Sequence, residues 1–171
     1  MYAPKLFTIL LISIMLSGCS KLTSNNDWSS FGNNSKNTRY YNGNAPKKLT
    51  ELKWKFKTED EIQSSPVVTN ELVLFGSADN YLYVINVESG REKWKFKTKG
   101  KVQSSPVVLD GIVYFGSFDN YLYAINIETG QEKWKFKTQN RIFSSPAVVD
   151  EMVFFGSNDG YLYAVSLKTG Q

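Results

Sequence analysis

Residues 119–138 read DNYLYAINIETGQEKWKFKT. Asp119-Asn120 supplies a tight turn, since both residue types tolerate a positive φ. The run Tyr121–Ile127 follows, with an apolar period of two rather than 3.6, which reads as a strand. Glu128-Thr129-Gly130-Gln131 makes a longer turn. Glu132–Thr138 is a second strand whose alternation puts Trp134 and Phe136 on one face and Lys133, Lys135 and Lys137 on the other.

The same words start at Asp79, and again at Asp159, where they run only to Gln171. Trp54, Trp94 and Trp134 are 40 residues apart, as are Gly90, Gly130 and Gly170, Gly76, Gly116 and Gly156, and Pro66, Pro106 and Pro146. Aligning 51–90 with 91–130 gives 25 identities in 40 positions without a gap. Four strands are expected per unit; in the second they are Val102–Leu109, Ile112–Ser117, Tyr121–Ile127 and Glu132–Thr138. A four-stranded antiparallel unit of about 40 residues in tandem is the pattern of a propeller blade. A solenoid coil is shorter, and a sandwich has no reason for so strict a period. The expected fold is therefore all-β, an incomplete β-propeller of about three four-stranded antiparallel blades over residues 51–171.

Ala124, Asn126, Thr129, Gly130 and Trp134 stand at the positions of the tryptophan-docking motif of pyrroloquinoline-quinone-type propeller repeats, and the chain resembles that family. Val84, Asn86, Ser89, Gly90 and Trp94 match it more loosely. Asn replaces the motif's usual Asp at both sites, so it accepts hydrogen bonds there without being an anion. The resemblance implies structural docking between blades by Trp54, Trp94 and Trp134 with Gly90, Gly130 and Gly170. Splayed blades leave a gap at the rim, and an indole filling it buries about 150–250 Å², an upper bound of several kcal/mol at about 25 cal/mol per Å².

The N-terminus has a different character. Lys5, the apolar run Leu6–Met15 and Leu16-Ser17-Gly18-Cys19 resemble a bacterial lipoprotein signal, with residues 1–18 removed and Cys19 lipidated. The uncharged run Leu6–Ser20 is 15 residues, short of the roughly 20 that span a bilayer. Residues 19–50 are expected to form a polar tether and N-terminal segment; within it DWSSFGNNSKNTRYY, residues 27–41, resembles the segment that opens such propeller proteins, which implies Trp28 and Phe31 as its apolar contacts. The only cysteine is spent on lipid, so no intramolecular disulfide is expected. Cleavage also removes Lys5, lowering the formal charge of +4 by one. So mild an excess, on an exported chain, is far from the clustered basic footprint of a nucleic-acid binder, and no nucleic-acid partner is expected.

Catalytic chemistry has little to draw on. There is no histidine, hence no ordinary proton shuttle near neutral pH, and no nucleophile elbow, phosphate loop or metal-ligand cluster. Asp79, Asp119 and Asp159 read as turn formers, and Ser64-Ser65-Pro66 with its copies reads as the start of the innermost strand. The repeated Lys-Trp-Lys-Phe-Lys lysines read as charges that protect an outer edge, with a basic girdle for acidic envelope polymers as the functional alternative. Catalytic, cofactor and metal sites are all expected to be absent.

The function implied is a lipid-anchored, non-catalytic scaffold or binding protein of the bacterial envelope, similar to the propeller lipoprotein of the outer-membrane β-barrel assembly machinery. Its expected partners are the membrane, through Cys19, and other envelope proteins. It would sit on the extracytoplasmic side, at the outer membrane in a two-membrane host and the plasma-membrane outer face otherwise. The alternatives are a fragment of a quinoprotein dehydrogenase and an envelope polysaccharide-binding or sensor module.

Counting strands leaves the arc open. Outer-type strands are expected at Leu52–Thr58, Glu92–Thr98 and Glu132–Thr138, and inner sets from Ile62, Val102 and Ile142, so the last set lacks its outer strand. Closing on itself would give a ring of three, below the 4–8 blades normally seen. The chain is then either a piece of a longer propeller or one that associates head to tail.

Overall fold

The computed structural model describes residues 51–171 apart from Asn70. Cys19, the signal segment, the tether and Trp28 and Phe31 lie outside the described residues. Within them there is no helix.

Eleven strands form three antiparallel meanders. The first blade holds β1 (Val67–Val68), β2 (Leu72–Gly76), β3 (Tyr81–Asn86) and β4 (Glu92–Lys97). The second holds β5 (Val107–Leu109), β6 (Ile112–Gly116), β7 (Tyr121–Asn126) and β8 (Glu132–Lys137). The third has three strands, β9 (Ala147–Val149), β10 (Met152–Gly156) and β11 (Leu162–Ser166). This is the incomplete all-β propeller that the period of 40 predicts.

The turns show why the sequence folds here. Asn80 and Asn120 sit at φ 75° and 74°, in the left-handed region that Asn tolerates. Asp110-Gly111 takes φ 48° and 75° in the two-residue hairpin between β5 and β6, the backbone of a primed turn that matches strand twist. A bulge falls where Val84 pairs Trp94 and Ile85 pairs Glu92, leaving Lys93 as the extra residue; the second blade repeats it at Ala124 and Ile125.

The blades are joined by apolar faces. Leu74, Leu82 and Val84 of the first blade pack with Val113, Phe115 and Ile125 of the second. Leu122 and Ala124 of the second pack with Val153, Phe155 and Val165 of the third. Because β2, β3, β6 and β7 are covered on both faces, they read as continuous apolar runs, buried nearly end to end.

Two strand expectations are corrected. The innermost strands start at Val67, Val107 and Ala147, not at Ile62, Val102 and Ile142. The intervening residues are engaged elsewhere: Val102 N–H donates to Ser77 O of the preceding blade (3.0 Å), and Ile142 N–H to Ser117 O (3.1 Å). Residues 52–58 are in no ladder, because a β-strand needs a neighbour for its backbone groups and none of the described strands lies beside this segment.

Candidate functional site

The repeated polar and aromatic side chains converge on the seams between blades. Trp94, on β4, donates its indole N–H to Ile127 O of the next blade at 2.9 Å. Trp134, on β8, reaches Leu167 O at 2.8 Å, and Trp54 reaches Val87 O at 2.9 Å. Each ring lies over the glycine of the turn it bonds. Gly90, Gly130 and Gly170 have φ of +66°, +68° and +69°, and a Cβ on them would come within 2.6, 3.0 and 2.5 Å of the ring atoms of Trp54, Trp94 and Trp134. Glycine is required there twice over, for its backbone angle and for the closeness of the indole.

Asn126 prepares that turn. Its Oδ1 accepts the N–H groups of Glu128 (3.0 Å) and Thr129 (2.9 Å) and the Thr129 hydroxyl (3.0 Å). Asn86 does the same with Glu88 and Ser89. A neutral amide suffices because every partner is a donor.

A second seam lies at the opposite hairpin. Asp119 accepts from Tyr121 N–H through Oδ1 (3.3 Å) and, through Oδ2, from the Tyr123 hydroxyl (2.8 Å) and Lys99 N–H (2.8 Å). Lys99 follows β4, so this carboxylate ties its own hairpin to the preceding blade. Asp79 holds Glu59 N–H and Tyr83 in the same way, and Asp159 holds Gln139 N–H and Tyr163. Reading the aspartates as turn formers alone missed this link. The signal was available in the Tyr four residues after each Asp.

Electrostatics follow from these bonds. Burial pushes the Tyr123 hydroxyl up strongly, and its bond to Asp119 adds to the shift; Tyr83 behaves likewise with Asp79. Burial alone would raise the Asp159 carboxyl, but the N–H groups of Gln139 and Tyr161 and the Tyr163 and Ser157 side chains outweigh it and hold it below the usual range. A tyrosine raised in the folded state contributes stability that is intact below its unfolded value of about 10 and declines as pH climbs toward the folded value. The expected result is an alkaline loss of stability beginning near pH 10 that is smaller in Tyr123→Phe, read from urea midpoints between pH 8 and 11. Equal slopes for both proteins would contradict it.

The serines lie at the hub. Ser64 Oγ accepts Gly76 N–H (2.8 Å), and Ser104 Oγ accepts Gly116 N–H (3.1 Å). Ser105 Oγ accepts Ser65 N–H (2.8 Å), and Ser145 Oγ accepts Ser105 N–H (3.1 Å), each a bond to the next blade. The rim lysines are exposed: Lys93 meets Glu128 at 2.8 Å, and Lys95 and Lys135 lie over tyrosine rings. Exposed pairs of this kind are worth little individually. Lys168 occupies the third-copy position of Glu88 and Glu128, so the pairing of Lys53 and Lys93 has no equivalent at Lys133.

Among the described residues no three His, Cys, Asp or Glu side chains come together as a metal-binding group.

Antiparallel blades stacked face to face, each keyed to the next by tryptophan over glycine, define the chain as a pyrroloquinoline-quinone-like β-propeller repeat protein. The family model described as outer membrane protein assembly factor BamB matches residues 48–171, and the chain belongs to that family. No curated protein matches it. Among solved structures it is similar to quinohemoprotein alcohol dehydrogenase ADHIIG from Pseudomonas putida HK5, with 23% identity, a TM-score of 0.74, and coverage of 86% of this chain and 26% of that one. BamB from Moraxella catarrhalis matches at 19% identity and a TM-score of 0.61, covering 68% of this chain and 38% of that one. The computationally designed Ika4 protein matches at 23% and 0.62, covering 74% and 77%. At these identities the likeness is one of fold, shared by proteins as different as an alcohol dehydrogenase and a computationally designed protein. The chain spans about a quarter to two-fifths of the two natural proteins.

Proposed function

We propose that the chain is a non-catalytic scaffold of the bacterial cell envelope, anchored by lipid at Cys19 and serving outer-membrane protein assembly. The observation that carries this reading is the use made of the repeated polar groups. Asp, Ser and Trp are consumed in tying blade to blade, and Asn86 and Asn126 in shaping the turns on which the indoles dock, which leaves a rigid body that presents loops and rims to partners. The family match supports the envelope setting. Cys19 at the end of the lipoprotein-type signal supports the anchor, which places the propeller on the extracytoplasmic side, and self-association through the third blade is part of the same reading.

The test is fractionation with acyl labelling of the full chain, beside co-purification with the outer-membrane β-barrel assembly component of the same cells. The expected result is label and membrane retention, both lost in Cys19→Ser, and stoichiometric co-purification that persists after detergent extraction. A soluble, unlabelled wild-type chain would overturn the anchor. Quinone- and calcium-dependent dye reduction would overturn the non-catalytic role and favour the dehydrogenase reading.

A further inference from the structure

Repetition makes departures from the repeat conspicuous, and four of them fall together beside the β6–β7 hairpin. Between the second and third blades they are Gly100, Phe118, Arg141 and Phe143; the same positions between the first and second hold Asp60, Ala78, Lys101 and Gln103. The frame around them is copied unchanged, in Ser77, Ser117 and Ser157, in Asp79, Asp119 and Asp159, and in each Ser-Ser-Pro.

The substituted side chains touch one another. Phe118 and Phe143 have ring centroids 6.0 Å apart and planes tilted by 53°. Arg141 Cζ lies 5.1 Å from the Phe118 ring centroid, the geometry of a cation–π contact. The backbone holds them there: Phe118 N–H donates to Lys101 O (2.9 Å), and Ile142, between Arg141 and Phe143, is fully buried with its N–H on Ser117 O (3.1 Å). These contacts all run between the second and third blades. Gly100 contributes by being bare. A Cβ on it would lie 2.5 Å from Asp119 N and 3.2 Å from Phe118 Cβ, so the hairpin that carries Phe118 closes onto it.

The charge balance changes with the shape. In the first seam Asp60 stands 3.9 Å from Lys101; in the second, glycine replaces that carboxylate, and Arg141 is exposed with no acid paired to it among the described residues. Asp119 and Asp159 on the flanking hairpins are committed to Tyr123, Tyr163 and backbone N–H groups. Phe143 is 53% exposed. Gln103, at its position with a blade on either side, is also open to solvent in part.

We propose that Phe118, Arg141 and Phe143 form a docking site for a partner polypeptide segment that carries an aspartate or glutamate next to an apolar residue. Stacking on Phe118 restrains the guanidinium and leaves its N–H fork to grip a carboxylate in two-point fashion, and a group ordered in advance loses less freedom on binding. Two rings tilted by 53° offer no common flat face on which a sugar could lie, but they bracket a single apolar side chain. Aromatic residues and arginine are the types that dominate protein interfaces energetically. The inference deepens the scaffold reading and rests on it; this site is tested by peptide binding, whereas that reading is tested by membrane retention and dye reduction, so the two fail separately.

The experiment selects a displayed library of random peptides on the full chain and measures the affinity of a synthetic copy of the most enriched sequence. Enrichment of peptides with an acidic residue beside an apolar one is expected. Arg141→Gln and Phe143→Ala are each expected to weaken the synthetic peptide at least about tenfold, while Gln103→Ala, at the equivalent place in the first seam, leaves it unchanged. Arg141→Glu, used as the selecting chain, is expected to enrich basic peptides instead. Arg141 and Phe143 are exposed, so circular dichroism of the variants should match that of the parent chain. Absence of enrichment, or binding indifferent to Arg141 and Phe143, would overturn the proposal. So would Arg141-dependent retention on the anionic polysaccharide alginate without peptide binding, which would make this a glycan site.

Discussion

Trp94→Ala is expected to lower the free energy of unfolding by about 3 kcal/mol, the low end for removing a buried large aromatic, because this ring is only half-buried. The loss has three parts. The apolar contact between β4 and the second blade goes, the Ile127 carbonyl loses the indole donor at 2.9 Å, and space opens over Gly130, whose conformation the ring braces. Trp94→Phe separates them: it keeps most of the apolar area and removes the hydrogen bond, for an expected cost of about 1 kcal/mol. The position of Trp94 adds a second signature. Repeat arrays are stabilised by contacts between neighbours, so weakening this seam should uncouple the first blade from the second and broaden the urea transition as well as shift it. Equilibrium unfolding followed by far-ultraviolet circular dichroism reads both effects. A shift below 1 kcal/mol with an unchanged slope would mean that the docking is incidental to stability.

Gly116→Ala is expected to cost about 2–3 kcal/mol, while Gly156→Ala, the same change at the same place in the repeat, stays within about 0.5 kcal/mol. A Cβ on Gly116 would lie 2.3 Å from Ile142 Cγ2 and 2.8 Å from Ile142 Cβ, and one on Gly76 would lie 2.3 Å from Val102 O. Neither neighbour can yield, since Ile142 and Val102 are buried and their backbones are bonded to the preceding blade. On Gly156 the nearest atom is Ser144 Oγ, at an ordinary 3.7 Å. Thermal or urea midpoints of the two variants at low protein concentration, where chains are apart, decide the matter. Similar costs at both positions would show that the glycine is needed for its own strand rather than for the approach of the next blade.

Much of the fold was legible in the chain because the period of 40 is exact and its punctuation is chemical. Asp110-Gly111 and the Asp-Asn pairs state where the hairpins turn, and the alternation of Lys-Trp-Lys-Phe-Lys states which face of the outer strand is apolar. The inner strand boundaries were not legible. Val102 looks like the first residue of a strand by its side chain, yet its N–H is committed to Ser77 in another blade, a fact no local pattern carries. The same holds for Asp119. Its place in a turn was readable, but its bond to Lys99, which ties two blades together, depends on how the sheets stack.

What the sequence determined by itself is the unit: four short antiparallel strands, their turns, and an indole and a glycine returning at fixed spacing. Those follow from interactions within a few residues or across one hairpin, which repetition makes conspicuous. Only the tertiary structure decided which blade each side chain serves. Trp94 touches Gly130 rather than Gly90, Ser105 reaches Ser145, and Leu162 stands exposed where Leu82 and Leu122 are buried. The physical reason is that identical residues acquire different environments from the neighbour stacked against them, and a repeated sequence writes the same letter in each case.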